Sequence, residues 1–284
     1  MLNLCDVQTM KTLLEAAGFR FSKAKGQNFL TAAWVPERIA EEAGADEAAA
    51  VLEIGPGFGA LTQQLCLRAA KVLAIEVDQT LRPVLKQTVG AFDNLEIQYA
   101  DAMKLDLAAL VKERFAGLRP LACANLPYYI TSPVLTKLLE SKAFESVTVM
   151  VQKEVAQRIC AGPGTADYSA FTVFCNYHAV PEILFEVPAS CFMPQPKVTS
   201  AVLTLRTRRE PPCEIPDEAL FFRVVRAAFA QRRKTLPNAL AAGFPERTKD
   251  ELTERIVSCG HKPTVRGETL SIPEFAALAR AIAE

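Results

Sequence analysis

Five short apolar runs, AAVLEIG (49–55), VLAIEVD (72–78), LEIQYAD (95–101), LACANLP (121–127) and SVTVMVQ (146–152), follow one another at near-regular intervals. Segments of helical texture such as ALTQQLCLRAA (60–70) and SPVLTKLLES (132–141) lie between them. A strand that is apolar along its whole length is buried on both faces, and its alternation with helices predicts a doubly wound parallel sheet. Two further strand candidates follow, EILFEVP (182–188) and VTSAVLTLR (198–206). The second alternates apolar and small polar residues, as an antiparallel addition to the sheet would. The charged, proline-bearing stretch RTRREPPCEIPDE (206–218) reads as a linker. Beyond it, Leu220, Phe221, Val224, Val225, Ala228 and Phe229 form one apolar stripe at helical spacing, with Arg223 and Arg226 off it. KDELTERIVS and IPEFAALARAIAE continue the helical texture. The expectation is an α/β domain over residues 1–207, whose N-terminal segment 1–47 covers the ligand site, and a small all-α domain over 208–284.

The ends of these strands carry the chemistry. The first runs into Glu53-Ile54-Gly55-Pro56-Gly57-Phe58-Gly59 and directly into a helix. Glycines there turn the chain tightly and let a ligand approach where a side chain would block it. Gly-x-Gly-x-Gly departs from the dinucleotide pattern, Pro56 lacks a donor for a pyrophosphate, and no Lys-Ser/Thr pair follows to hold a triphosphate. The second strand ends in Glu76-Val77-Asp78, where a carboxylate can accept both ribose hydroxyls of an adenosine. The third ends in Asp101-Ala102, a carboxylate and a backbone N–H suited to the adenine amino group and ring nitrogen. Each acid alone reads equally well as a helix cap. Ligand-suited residues at three successive strand tips, the glycines at the first among them, point to a phosphate-free adenosine ligand, S-adenosylmethionine.

The fourth strand ends in ANLPYYIT (124–131). Asn-Leu-Pro-Tyr is a form of the motif of amino-methyltransferases. An exocyclic base amine is a weak nucleophile, its lone pair being delocalised into the ring. Two acceptors, the Asn125 side-chain oxygen and the Leu126 carbonyl, can hold both amine hydrogens and aim the lone pair, a gain of orientation and electrostatics with no strong base. Pro127 fixes the turn. Tyr128 offers a face for a base taken out of its stack, and Tyr129 is expected to pack into the core. Phe192, in the proline-flanked FMPQPKV loop, reads equally as a second wall for the base and as a hydrophobic anchor.

Composition narrows the classes. The longest apolar runs fall short of the roughly 20 residues a membrane span needs, and the N-terminus lacks a signal-peptide pattern. The eight cysteines are scattered without a C-x-x-C pair, and there are only two histidines. Reduced thiols in a cytoplasmic protein, with no metal, are expected. Lys and Arg number 32, as do Asp and Glu, so a nucleic-acid partner requires segregated charge. Partial segregation is visible: Lys23 and Lys25 flank GQNFL, Arg206, Arg208 and Arg209 end a strand, and Arg232, Arg233 and Lys234 follow an apolar helix.

In order along the chain, GQNFL, EIGPGFGALT, IEVD, DAM, ANLPYYITSPV, VQKEVAQRI, FMPQPKVTSAV and FAQRRKTLPNAL resemble the small-subunit rRNA adenine dimethyltransferases (KsgA/RsmA). The likeness runs over nearly the whole chain. It implies a Rossmann-like class I methyltransferase sheet with a small C-terminal helical domain. It also implies transfer of two methyl groups to N6 of each of two adjacent adenosines in the 3′-terminal hairpin of 16S rRNA, within the assembling small subunit, by a monomer. By position it implies that Asn28 and Leu30 line the methionine end of the cofactor and that Gly55 and Gly57 form its loop. Glu76 would hold the ribose, Asp101 and Ala102 the adenine, and Asn125 would stand at the reacting amine. Arg232, Arg233 and Lys234 would grip RNA phosphates. Pro237 departs from the family and is expected to shorten its helix. Three rivals remain: an Erm-type large-subunit rRNA methyltransferase, which lacks the FAQRRKTLPNAL signal; an NAD dehydrogenase, which gives Asn125 and Tyr128 no role; and a non-catalytic assembly factor, which the intact Asn-Leu-Pro-Tyr opposes.

Overall fold

A computed structural model describes residues 2–19, 28–215 and 217–284; Lys23, Lys25 and the Gly26-Gln27 pair of GQNFL lie outside the described residues. The chain divides into two compact units, Met1–Ala156 with Pro181–Thr207, and Gln157–Val180 with Arg208–Glu284.

The first unit begins with α1 (Val7–Ala16), which Asp6 starts by accepting the Thr9 N–H at 2.8 Å. A two-residue strand β1 (Phe29–Leu30) and α2 (Trp34–Glu42) follow. Then comes the alternating region: β2 (Ala49–Ile54), α3 (Ala60–Cys66), β3 (Lys71–Glu76), α4 (Arg82–Thr88), β4 (Leu95–Tyr99), α5 (Leu107–Arg114), β5 (Arg119–Asn125), α6 (Thr131–Glu140), β6 (Ser146–Gln152) and α7 (Lys153–Ile159). After α8 (Ala170–His178) the chain forms β7 (Ala179–Val187), β8 (Phe192–Met193) and β9 (Ser200–Thr207). The main sheet has the order β4-β3-β2-β5-β6-β9-β7. Its β4 to β6 part is parallel, and β9 runs antiparallel to β6, with Gln152 opposite Ser200.

Every residue of β2 is buried, as a central strand covered on both faces requires. The strand order reverses at β2, since β3 and β5 flank it and lead the sheet in opposite directions. Chain connections diverge there, leaving a crevice at the carboxyl ends of these strands. β9 is the antiparallel addition that its alternation suggests, and it is buried from Ser200 to Leu205. Its small polar residues are accommodated inside, as the 3.2 Å bond from the Thr148 hydroxyl to that of Thr204 illustrates.

In the second unit, α9 (Glu218–Ala230), α10 (Leu236–Gly243), α11 (Lys249–Ser258) and α12 (Ile272–Ala283) pack with α8. Asp217 caps α9, accepting the Leu220 N–H at 2.9 Å, and the buried stripe Phe221, Val224, Val225 and Ala228 faces the core. A single cut after residue 207 misassigns Gln157–Val180. Tyr168, Val173 and Tyr177 are buried among the C-terminal helices, and the hydroxyls of Tyr168 and Tyr177 donate to the Leu270 carbonyl at 3.0 Å and to Glu218 at 2.9 Å. These partners lie 102 and 41 residues away, a separation no local pattern reports. Pro237 occupies the first turn of α10, where a missing N–H costs nothing; it opens the helix and does not truncate it. No disulfide links any of the eight cysteines. No described helix is long and apolar enough to cross a membrane, and no described group of three or more His, Cys, Asp or Glu is arranged to hold a metal.

Candidate active site

A cavity of about 500 Å³ opens at the carboxyl ends of β2, β3 and β5, a volume suited to one drug-sized ligand. Its lining joins Asn28, Leu30, Gly55, Gly57, Glu76, Asp101, Ala102, Asn125, Leu126, Tyr128 and Phe192, residues spread over more than 160 positions of sequence. Arg232, Arg233 and Lys234 are not part of it. They lie exposed in the turn between α9 and α10, where Arg232 donates to the Ala166 carbonyl at 2.7 Å.

The glycine loop forms the floor. Gly55, Gly57 and Gly59 all have positive φ, of 74°, 57° and 94°, a region that L-residues with side chains seldom adopt. A Cβ on Gly55 would meet nothing within 4 Å; it would project into open space in the cavity wall, where a ligand is to lie. The backbone N–H of Gly57 donates to Glu76 Oε2 at 3.2 Å, and the Asp78 N–H donates to Oε1 at 2.7 Å. Glu76 is therefore held from both sides at the tip of β3. Burial pushes its carboxyl up from the ordinary range, while these N–H donors pull it down. Asp101 accepts the Met103 N–H at 3.0 Å and so also begins the short helical turn that follows. The cap and the ligand readings thus coexist at this residue, which keeps a face on the cavity.

Asn125 ends β5 and its amide nitrogen stands 3.5 Å from the Asn28 carbonyl. β1 pairs antiparallel with β8, Leu30 opposite Phe192. That two-residue ribbon brings the N-terminal segment and the FMPQPKV loop to one place, so Asn28 and Phe192 reach the cavity together. The Tyr128 hydroxyl is hydrogen-bonded to that of the buried Ser200 at 2.8 Å, which fixes the ring from behind. Burial raises the Tyr128 pKa and the Ser200 bond partly offsets this.

Tyr129 corrects the expectation of a core position: it is 64% exposed and stands at the cavity rim. Residues Tyr128–Ile130 form a tight helical turn, in which successive side chains diverge by about 120°. With Tyr128 turned inward to Ser200, its neighbour must turn out. Sequence reasoning also missed Glu53. It is 1% exposed, lines the cavity, and its Oε2 has no hydrogen-bond partner. The signal was present: a carboxylate near the end of an otherwise apolar, wholly buried strand.

The donor set fits S-adenosylmethionine. Among the described residues the cavity presents Glu53, Glu76, Asp78 and Asp101 and no Lys, Arg or His, so it favours a ligand bearing positive charge and disfavours phosphates.

The chain is similar to known proteins in sequence and in fold. The family described as "Ribosomal RNA adenine dimethylase" matches residues 18–272. The chain is 44% identical over 275 residues to a "Ribosomal RNA small subunit methyltransferase A" of Alkaliphilus oremlandii, covering 96% of both chains. It is 46% identical over 277 residues to the protein of that name from Geobacillus kaustophilus, covering 96% of this chain and 94% of the other. Among solved structures, a dimethyladenosine transferase from Plasmodium falciparum superimposes with a TM-score of 0.72 at 25% identity, over 88% of this chain and 95% of that one. The 23S rRNA methyltransferase ErmE does so at 0.67 and 26%, over 90% of this chain and all of that one.

Proposed function

The chain belongs to the ribosomal RNA adenine dimethylase family, and from that premise we propose that it dimethylates N6 of two adjacent adenosines in the 3′-terminal hairpin of 16S rRNA, within the assembling small subunit. It is an S-adenosylmethionine-dependent rRNA methyltransferase. One observation carries the reading of the site. The acids and glycines suited to the cofactor, and the Asn125-to-Tyr128 turn suited to a base amine, line one continuous cavity.

The cofactor supplies a methyl group made electrophilic by its sulfonium. Glu76, fixed by two backbone N–H groups, holds the ribose, and Asp101 with the Ala102 N–H holds the adenine. Asn28 and Leu30 close the methionine end over the glycine loop of Gly55 and Gly57. Asn125 and the Leu126 carbonyl accept the two hydrogens of the substrate amine and turn its lone pair toward the methyl group. Orientation and a preorganised dipole do this work, and no residue needs to act as a strong base. Tyr128, its hydroxyl tied to Ser200, presents a fixed ring face to the extruded base, and Phe192 bounds the base from the other side. Arg232, Arg233 and Lys234 contribute phosphate contacts.

Higher similarity to the small-subunit enzymes than to ErmE, over comparable lengths, favours the small-subunit substrate. Labelled S-adenosylmethionine, offered with unmethylated small subunits and separately with large-subunit rRNA, tests the proposal. Label at two adjacent adenosines of the small-subunit rRNA is the expected result. Label in the large-subunit rRNA would establish the Erm reading, and no transfer to either would establish a non-catalytic binder.

A further inference from the structure

Glu53 is a buried ionisable group of this cavity to which the proposed chemistry assigns no task. It sits in β2 between Ala74 of β3 and Cys123 of β5, two residues before Gly55 of the cavity floor. Its Oε2 is fully shielded and unpartnered, with Thr62 of α3 beside the carboxyl. A buried carboxylate with a bare oxygen costs several kcal/mol, and a fold avoids that cost by keeping such a group protonated. The groups around it strengthen this choice. From β3, the Glu76 carboxylate faces it; from α3 come Thr62 and Cys66, and from β5 comes Cys123. Burial pushes both thiols up, so they remain neutral, and no cation faces Glu53 among the described residues.

The two glutamates are not equivalent. Glu76 receives an N–H on each oxygen, at 3.2 and 2.7 Å, and donors of that kind favour the ionised form. Glu53 receives none on Oε2. When two carboxyls share one site and their donors are unequal, the proton resides on the one with fewer.

We propose that Glu53 is a cofactor-contact residue that holds a proton in the empty protein and releases it when the cationic cofactor enters. The O–H bond of the Glu53 carboxylic acid breaks, its electron pair stays on the carboxylate oxygen, and the proton passes to solvent. The new carboxylate then faces the positive charge of the ligand, which replaces the proton as its counter-charge. Burial supports the direction, raising the Glu53 carboxyl to about 8, with Thr62 offsetting part of this and Glu76 adding to it. The inference rests on S-adenosylmethionine being the cofactor and is independent of which RNA is methylated.

Titration calorimetry of the full chain with S-adenosylmethionine, at pH 7 in buffers of different ionisation enthalpy, counts the protons. Up to about one proton released per cofactor is expected, and Kd should tighten by as much as about tenfold per pH unit between pH 6 and 8. Glu53→Gln keeps the size and the hydrogen-bonding capacity but not the titration. It should lose the release and flatten the pH dependence, leaving only protons exchanged by the ligand's own amine. The infrared C=O band of a protonated carboxylic acid should disappear when cofactor is added to the wild-type chain, and this needs no variant. Release in Glu53→Gln equal to wild type, or cofactor binding with neither proton release nor loss of that band, overturns the proposal. Absence of cofactor binding altogether would overturn the cofactor reading with it.

Discussion

Replacing Ser200 by alanine tests whether the Tyr128 ring is held from behind. The bond is 2.8 Å long, Ser200 is fully buried, and Tyr128 is half-buried. A net hydrogen bond contributes about 0.5–1.5 kcal/mol, and a buried hydroxyl left without a partner costs about 1–3 kcal/mol. Ser200→Ala strands the phenol, and Tyr128→Phe strands the serine, so each single change should cost about 1–2 kcal/mol in urea unfolding. The double variant strands neither group. The cycle should therefore return a coupling of about 1 kcal/mol, well above the roughly 0.3–0.5 kcal/mol scatter of independent sites. Single-turnover methyl transfer to small subunits should follow the same cycle, falling about 3- to 10-fold in each variant, while Kd for S-adenosylmethionine stays within about 2-fold, a split that a general loss of fold would not produce. Ser200→Thr, which keeps the hydroxyl, should restore most of the rate. If the two single changes add in both stability and rate, the bond does not position the ring and Tyr128 is not held by Ser200.

Asn125→Ala should lower single-turnover methyl transfer by about 100-fold or more with cofactor affinity little changed, because the contact strengthens only in the transition state; survival within a few-fold would remove Asn125 from the chemistry. Gly59→Ala forces a side chain into φ 94° and brings its Cβ to 2.9 Å from Val89 Cγ1, so urea unfolding should show a loss of about 2–4 kcal/mol, and a loss below about 1 kcal/mol would mean that the loop relaxes freely. The Glu53 carboxyl is raised in the folded state, from 4.5 to about 8, so the stability it contributes is complete below pH 4.5 and is lost as pH rises through 8. Without cofactor, wild-type Tm should therefore fall relative to Glu53→Gln over that window, and parallel curves would contradict a protonated Glu53. Neutralising Arg232, Arg233 and Lys234 together should reduce the slope of log K against log salt for RNA binding by about 2–3; an unchanged slope would exclude this turn from the interface.

Much of the site was legible because its parts are local. Glu76 and Asp101 each end a strand, the three glycines share one loop, and Asn125 to Tyr128 is one turn, so period and punctuation alone place them at one sheet edge. Tyr129 was misread because a sequence shows two adjacent tyrosines but not the turn that separates their directions. Gln157–Val180 was assigned to the wrong unit because burial of Tyr168 and Tyr177 depends on partners far along the chain. The alternation in β9 suggested its antiparallel place, but not its burial, because Thr204 meets its partner Thr148 only across the sheet.

The sequence by itself determined the parallel sheet, the strand tips that carry acids and glycines, and the amide turn after the fourth strand. Each follows from spacing, from glycine's access to positive φ, and from the apolar runs that force strands inside. Only the tertiary structure decided which oxygens are satisfied. Glu76 and Glu53 are the same residue type at the carboxyl ends of neighbouring strands, 23 positions apart, and nothing in the sequence ranks them. Backbone donors reach Glu76 and leave one Glu53 oxygen bare. Burial raises both carboxyls, and the two backbone donors pull Glu76 back towards the anion while one Glu53 oxygen has none, so packing, and not composition, distinguishes the two acids.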